Sequence, residues 1–391
     1  MPFNRRVVIG SAVAAGASVL SSFKATAKLV GDIELRGSIG RLERLPTRDL
    51  ESMEDFSTEF RRWVDGDLNR AAEKRATAVM KAAGITDADD VPMGRILELL
   101  DGDPILMTLT HTWIDGQLLM WRRLQNAFHS DADRYLAEME SADKAGPGSL
   151  ELNPLMAIPD YTKWEIHNQP GGYVGDPFAG HMYHYGTNNL YLHANDQDRM
   201  HVQAAGATPA PSDKSVKRVL DLGCSIGQLS MALKDRFPEA EIWGIDVGGP
   251  MARYAHMRAA DIGNGANFAQ RLAEDTKFPD NHFDIVTANI LFHEVTPDAA
   301  RAILREAHRV LRPGGVFYPR ERQFLSPRPR NSAGFRFRNW WNDRWNHEVW
   351  FLAYTTMDYA AEMKAAGLEV RGDAPPGYAG ATGNLVGYKP T

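Results

Sequence analysis

The chain has 391 residues, 43% of them apolar, with 44 Lys and Arg against 50 Asp and Glu for a formal charge of −6. That length exceeds one ordinary core, so two domains or one domain with a large extension are expected. The mildly acidic balance argues against a chain that binds nucleic acid or a membrane surface by bulk charge, and a single cysteine, Cys224, excludes a disulfide framework and multi-cysteine metal sites.

At the amino end Asn4-Arg5-Arg6 precedes an apolar, small-residue run from Val7 to Leu20, and Ala25-Thr26-Ala27 has the composition of a cleavage site. The run is short for a stable membrane span. Residues 1–28 resemble a twin-arginine export signal, with a plain N-terminal helix or leader as the alternative.

Residues 29–150 read as a helical domain. Thr47 and Asp55 are candidate caps, and Leu50, Met53, Phe56, Phe60 and Trp63 recur at three- and four-residue spacing. Asp103-Pro104 opens a longer helix whose apolar face carries Ile105, Leu106, Leu109, Trp113, Leu118 and Trp121. Such stripes predict packing on the rest of the chain or on a second subunit, so a homodimer through this domain is one expectation.

Residues 151–212 form a segment rich in His, Tyr and Gly, ending in a linker with Pro209 and Pro211. Side chains with apolar bodies and hydrogen-bonding tips suit a pocket wall, which makes Tyr173, His181, His184 and Tyr185 candidates for a lid over a substrate pocket. His181, His184 and Asp176 also raise a metal site, but no metal-ligand spacing supports one and none is expected.

From residue 213 onward short apolar strands alternate with helical stretches: Arg218 to Gly223, Glu241 to Asp246, Asn267 to Gln270, Phe283 to Asn289 and Gly315 to Pro319. That pattern predicts an α/β fold with a mostly parallel sheet whose ligand lies at the carboxyl ends of the strands. The first strand breaks at Gly223-Cys224-Ser225-Ile226-Gly227, where backbone without Cβ atoms meets a helix N-terminus. The Gly-x-Ser-x-Gly spacing, with Ser225, Asp246 and His293 in that order, is also that of an α/β-hydrolase elbow.

Taken with Asp221, Gly223, Ser225 and Gly227, the strand Glu241 to Asp246, the run Phe278 to Asp284 and Leu304 to Gly315, the region from Ser215 to Phe317 resembles a class I S-adenosylmethionine-dependent methyltransferase. The resemblance implies a Rossmann-like seven-stranded sheet, its last strand antiparallel, over residues 213–391. It also implies S-adenosyl-L-methionine as cofactor. The methionine end would lie on Gly223, Ser225 and Gly227 with Asp221, the ribose on Asp246 followed by Val247, and the adenine near Leu272 and Ala273, with Asn289 the next contact. The polar residue usual at position 272 is absent, so adenine recognition is expected to move to Glu274 or Asp275.

His293 and Glu294 follow the fourth of these strands, where either is a candidate general base. Beyond Tyr318 arginines, among them Arg322, Arg328, Arg330, Arg336, Arg338 and Arg344, interleave with Phe337, Trp340, Trp341, Trp345 and Trp350. One reading is a pocket for an acidic or aromatic acceptor that includes Trp341. Another is packing of this insert on the helical domain. The partner expected is a small-molecule acceptor rather than nucleic acid. The location expected is the cytoplasm, where this cofactor is made, with export as the alternative.

Overall fold

The computed structural model describes residues 47–88, 90–321, 332–371 and 385–391. The leader expected over residues 1–28, and Arg322, Arg328 and Arg330 of the basic insert, lie outside the described residues.

Helix α1 (Arg48–Trp63) begins where the extended Thr47 accepts the N–H of Leu50 at 3.3 Å. Asp49 and Glu51 open it and Arg61 and Arg62 close it, matching the helix dipole. Asp55 lies inside the helix rather than at its start. After one wider turn follow α2 (Asn69–Ala82) and α3 (Met93–Leu100). In α4 (Pro104–His129) Asp103 accepts from Ile105 and Leu106 at 3.1 and 3.4 Å, and Pro104 takes the first helical position. Helix α5 (Ala132–Ala142) completes this part.

Leu106, Leu109, Trp113 and Trp121 are buried as the stripe on α4 predicts, whereas Phe56, Trp63 and Ile105 are exposed. The inward face of α1 is polar instead: Glu54, Thr58 and Arg61. Asn189 donates to the Thr58 hydroxyl at 2.9 Å, and Arg61 donates to the Asn189 and Gln117 side-chain carbonyls. A buried hydrogen-bonded network therefore sets the rotation of α1, and apolar spacing could not have revealed it.

Strand β1 (Leu150–Glu151) and helices α6 (Ala179–Leu190) and α7 (Arg199–Ala207) lead into the alternating part. There β2 (Arg218–Leu222), α8 (Gln228–Arg236), β3 (Glu241–Asp246), α9 (Gly249–Asp261), β4 (Asn267–Gln270), β5 (Phe283–Asn289), α10 (Pro297–Val310) and β6 (Leu311–Arg320) follow one another. Next come α11 (Ala333–Trp345), α12 (Phe351–Thr356), α13 (Tyr359–Ala365), β7 (Glu369–Arg371) and β8 (Val386–Tyr388). The described strands form one sheet in the order β1-β4-β3-β2-β5-β6-β8-β7. Every pair from β1 to β6 is parallel, and β8 runs antiparallel to both of its neighbours. The sheet has one strand more than the seven expected, because two residues, Leu150 and Glu151, add to the β4 edge. Winding proceeds outward from β2 to β4 in one direction and from β5 to β6 in the other, so the switch lies between β2 and β5.

Helix α6 corrects the expectation of a lid. It is buried along nearly its whole length. A Cβ on Gly186 would stand 2.1 Å from the Trp121 ring and one on Gly180 2.4 Å from Tyr254, so the glycines of this helix serve close approach rather than mobility. Gly186→Ala is expected to cost about 1–3 kcal/mol or more by overpacking, read as a lowered urea midpoint at unchanged slope.

Helix α11 corrects the placing of Trp341 in a substrate pocket. Ala333, Phe337 and Trp341 pack among Leu106, Leu109 and Trp113, and the Trp113 and Trp341 rings meet edge-on at 5.5 Å. Arg336 donates to the Ala88 carbonyl and Arg338 lies 3.5 Å from Asp65, so the basic residues of this helix fasten it to the helical part.

Candidate active site

A hollow opens at the carboxyl ends of β2, β3 and β5, at the switch in strand order. Gly223, Ser225, Asp246, Val247, Ala273 and Asn289 line it, and a smaller recess continuous with it adds Asp221 and Gln228. Seven of the nine cofactor residues expected from sequence therefore face one space in two lobes, and Gly227 stands in the turn that forms its floor. Leu272 alone departs from the arrangement. Its backbone bridges to Asp275 and it is not among the lining residues, whereas its neighbour Glu274 lines the hollow and accepts from the Tyr161 hydroxyl.

The floor is a strained turn. Gly223, Ser225 and Gly227 all have positive φ, at 63, 53 and 76°. A Cβ on Gly227 would fall 2.6 Å from the Phe268 ring, and one on Gly223 2.8 Å from Leu291, so both positions need glycine for conformation and for space. Asp246 braces the turn: one carboxylate oxygen accepts the Ser225 N–H at 2.9 Å and the other the Gly248 N–H at 2.8 Å. Burial pushes its carboxyl up to about 6 against the pull of those two bonds. Asp221 accepts the hydroxyls of Ser230 at 2.7 Å and Thr287 at 3.1 Å, and burial raises it to about 7.

Ser225 Oγ is buried beside the Tyr183 side chain. The hydrolase arrangement is not assembled: Asp246 accepts the serine's backbone N–H, and His293 Nδ1 is bonded to Glu321 Oε2 at 2.9 Å. His293 does not line the hollow. Burial pulls its pKa down, but Glu321, Glu348 and Glu294 outweigh that and raise it to about 9. With Nδ1 taken by Glu321 and the ring outside the lining of the hollow, His293 is not placed as a general base toward a ligand there, which corrects that expectation. Glu294 does line the hollow, receives the Tyr173 hydroxyl at 3.1 Å, and is pushed up to about 8 by burial despite His293.

Of the residues expected in the substrate pocket, Tyr173 lines this hollow. His181, His184 and Tyr185 face a separate one between α5, α6 and α9. The His181 ring stacks among Phe128, Tyr135, Phe178 and Tyr254, where burial lowers it to about 3, and His184 Nδ1 meets the Tyr254 hydroxyl at 2.9 Å. Asp176 is engaged by His129, Gln125 and the Phe178 N–H, so it does not join those histidines around a metal. Sequence reasoning placed Tyr183 and Tyr161 outside its site residues, and both line the hollow. The tyrosine-rich composition pointed to the first of them.

Residues 219–315 match the family model described as a methyltransferase domain. Demethylmenaquinone methyltransferase of Thermus thermophilus is 36% identical over 126 residues, covering 32% of this chain and 55% of its own length. The chloroplastic tocopherol O-methyltransferase of Arabidopsis thaliana is 32% identical over 163 residues, covering 39% and 46%. Among solved structures, the YcgJ protein of Bacillus subtilis is 23% identical over 44% of this chain and 70% of that one, with a TM-score of 0.36. The chain spans about half the length of the curated relatives it matches. No helix among the described residues is long and apolar enough to cross a membrane. The stretch from residue 219 to 315, which forms the glycine turn and the strand ends around the switch-point hollow, is thus similar to a methyltransferase domain.

Proposed function

We propose that the chain transfers a methyl group from S-adenosyl-L-methionine to a small-molecule acceptor. The observation that carries this reading is Asp246, which reaches the hollow beside Gly223 with both oxygens anchored by backbone N–H groups. Each oxygen keeps a second lone pair, so the carboxylate can accept both hydroxyls of a ribose without giving up its place in the turn. The bare backbone of Gly223 to Gly227 and the Ser225 hydroxyl fit the polar methionine end, and Val247, Met251 and Ala273 offer apolar surface to the adenine.

The cofactor supplies a methyl already activated on a sulfonium. What remains for the protein is alignment and exclusion of water. Tyr173, Tyr183 and Leu291 wall the hollow on the acceptor side, and Glu294 is its ionisable group there. Two relatives act, by name, on demethylmenaquinone and tocopherol, which supports an acceptor of that small-molecule kind.

Calorimetric titration with S-adenosyl-L-methionine tests the donor, and incubation of labelled cofactor with fractionated cell extracts tests the acceptor. Absence of cofactor binding by the folded chain would overturn the reading. A further outcome concerns pH: because the Asp246 carboxyl titrates at about 6 when buried, cofactor affinity is expected to fall as pH is lowered through that value, since a protonated carboxyl loses an acceptor. The Asp246→Asn variant should lack this inflection.

A further inference from the structure

Beside the hollow three residues from distant parts of the chain turn donor atoms toward one another. His167 comes from the turn Ile166–Asn168, His293 from the turn after β5, and Glu348 from the loop after α11. One donor atom from each lies within 4.8 Å of the others, the one such convergence of three His, Cys, Asp or Glu residues among the described residues.

The surroundings are those of a site rather than of a closed ion-pair network. His167 Nδ1 lies 3.0 Å from Glu348 Oε1, but the other oxygen, Glu348 Oε2, is buried with no hydrogen-bond partner on a side chain only 9% exposed. A carboxylate oxygen removed from water and given no donor is costly, and a cation satisfies it. His293 is held through Nδ1 by Glu321, itself fully buried and also accepting the Phe292 N–H, so Nε2 is the nitrogen turned to the cluster. A carboxylate behind an imidazole in this manner fixes the orientation and tautomer of a metal-binding histidine. The Nε2 atoms of His167 and His293 each lie 3.8 Å from Glu294 Oε1, and Glu294 lines the cofactor hollow.

We infer that His167, His293 and Glu348 bind one divalent transition-metal ion, with Glu294 on the side facing the hollow, and that the ion grips an oxygen of the methyl acceptor. Two imidazole nitrogens with one carboxylate select zinc, iron(II), manganese or cobalt over magnesium and calcium, which prefer all-oxygen sets. Three protein ligands leave positions open for a hydroxyl or carbonyl oxygen. The acceptor class that follows is an oxygen-bearing molecule such as a vicinal diol or catechol. The role toward the acceptor rests on the methyltransferase reading; the ion site does not. No metal-ligand spacing exists to reveal such a site in the sequence.

The test uses the untagged full chain stripped by chelator and titrated with cobalt(II) chloride, followed by visible d–d absorption, with zinc and manganese chloride by calorimetry. The expected result is saturable uptake of roughly one cobalt, lost in Glu348→Gln and in His167→Asn, and weakened about 10–100-fold in Glu321→Gln. Each variant is checked for its circular dichroism and for binding of S-adenosyl-L-methionine, so that loss of fold is separated from loss of ligands. A stripped chain that binds the cofactor but no cobalt, or Glu348→Gln and His167→Asn variants that take up cobalt as tightly as the parent, would overturn the inference and leave the methyltransferase reading standing. Cobalt uptake by a chain that does not bind the cofactor would uphold the ion site and remove its proposed role.

Discussion

Asp246→Ala is expected to lower affinity for S-adenosyl-L-methionine by at least about 100-fold in a calorimetric titration. Hydrogen bonds to a charged group are worth about 1.5–3 kcal/mol each, so losing two of them corresponds to roughly 100- to 10,000-fold. The same substitution strips the acceptors from the Ser225 and Gly248 N–H groups, and the turn that holds the methionine end loses its brace. Asp246→Asn separates the two effects in part. It keeps one acceptor oxygen but turns an amide N–H against one of the two backbone donors, so affinity should fall to an intermediate value. A measured affinity within about threefold of the parent in Asp246→Ala, with the fold intact by circular dichroism, would remove Asp246 from the cofactor site and the reading built on it.

Local physics made the parallel sheet legible. Strands covered on both faces read as apolar runs, and the bounds expected for β3, β4 and β5 coincide with those found. The glycine turn was legible for the same reason: positive φ and missing Cβ atoms leave a mark in residue type that no partner elsewhere in the chain can imitate. What lay beyond local physics was the facing of helices. On α1 the apolar residues Phe56 and Trp63 point outward because Thr58 and Arg61 are wanted by Asn189 and Gln117, more than fifty positions away. On α6 the Gly, His and Tyr content suggested a pliable pocket wall, and the structure uses Gly186 and Gly180 to bring the helix against Trp121 and Tyr254 and the histidines to fill an aromatic layer.

The candidate site divides along the same line. Asp246 and Asn289 were readable because a strand's carboxyl end is a position in sequence as well as in space. His167, Glu321 and Glu348 were not, because their relation exists only once β5, β6 and the loop after α11 have been brought together. His293 shows how a residue correctly located in sequence can still be misjudged in role. Its place after β5 suggested a base, and the bond from Nδ1 to Glu321, which follows β6, holds it outside the lining of the hollow instead.

The second large effect is expected at a buried ion pair that locks the glycine turn to its surroundings. Arg258 on α9 donates to Asp198 at 3.0 Å with both side chains no more than 4% exposed, and it also reaches the Ile226 carbonyl at 3.3 Å. Gln228, the first residue of α8, donates to the other oxygen of Asp198 at 2.6 Å. Burial pushes the Asp198 carboxyl up, but Arg258, His184 and His201 outweigh it and hold it down at about 2. Its folded pKa is therefore below the unfolded value of 3.8, so the stability it contributes is fully present above 3.8 and is lost as pH falls through about 2. Asp198→Ala leaves the guanidinium buried without its counter-charge and is expected to cost about 3–5 kcal/mol in urea unfolding at neutral pH, with a flatter acid limb of the stability profile. Pairing it with Arg258→Met should return most of that loss, because an apolar pair of similar volume removes the desolvation cost together with the charges. Cofactor affinity separates the two roles of the pair: the double variant regains stability but leaves Ile226 and Gln228 untethered, so its affinity should stay below the parent's. Equal affinity in the parent and the double variant would show that the turn holds its shape through Asp246 alone.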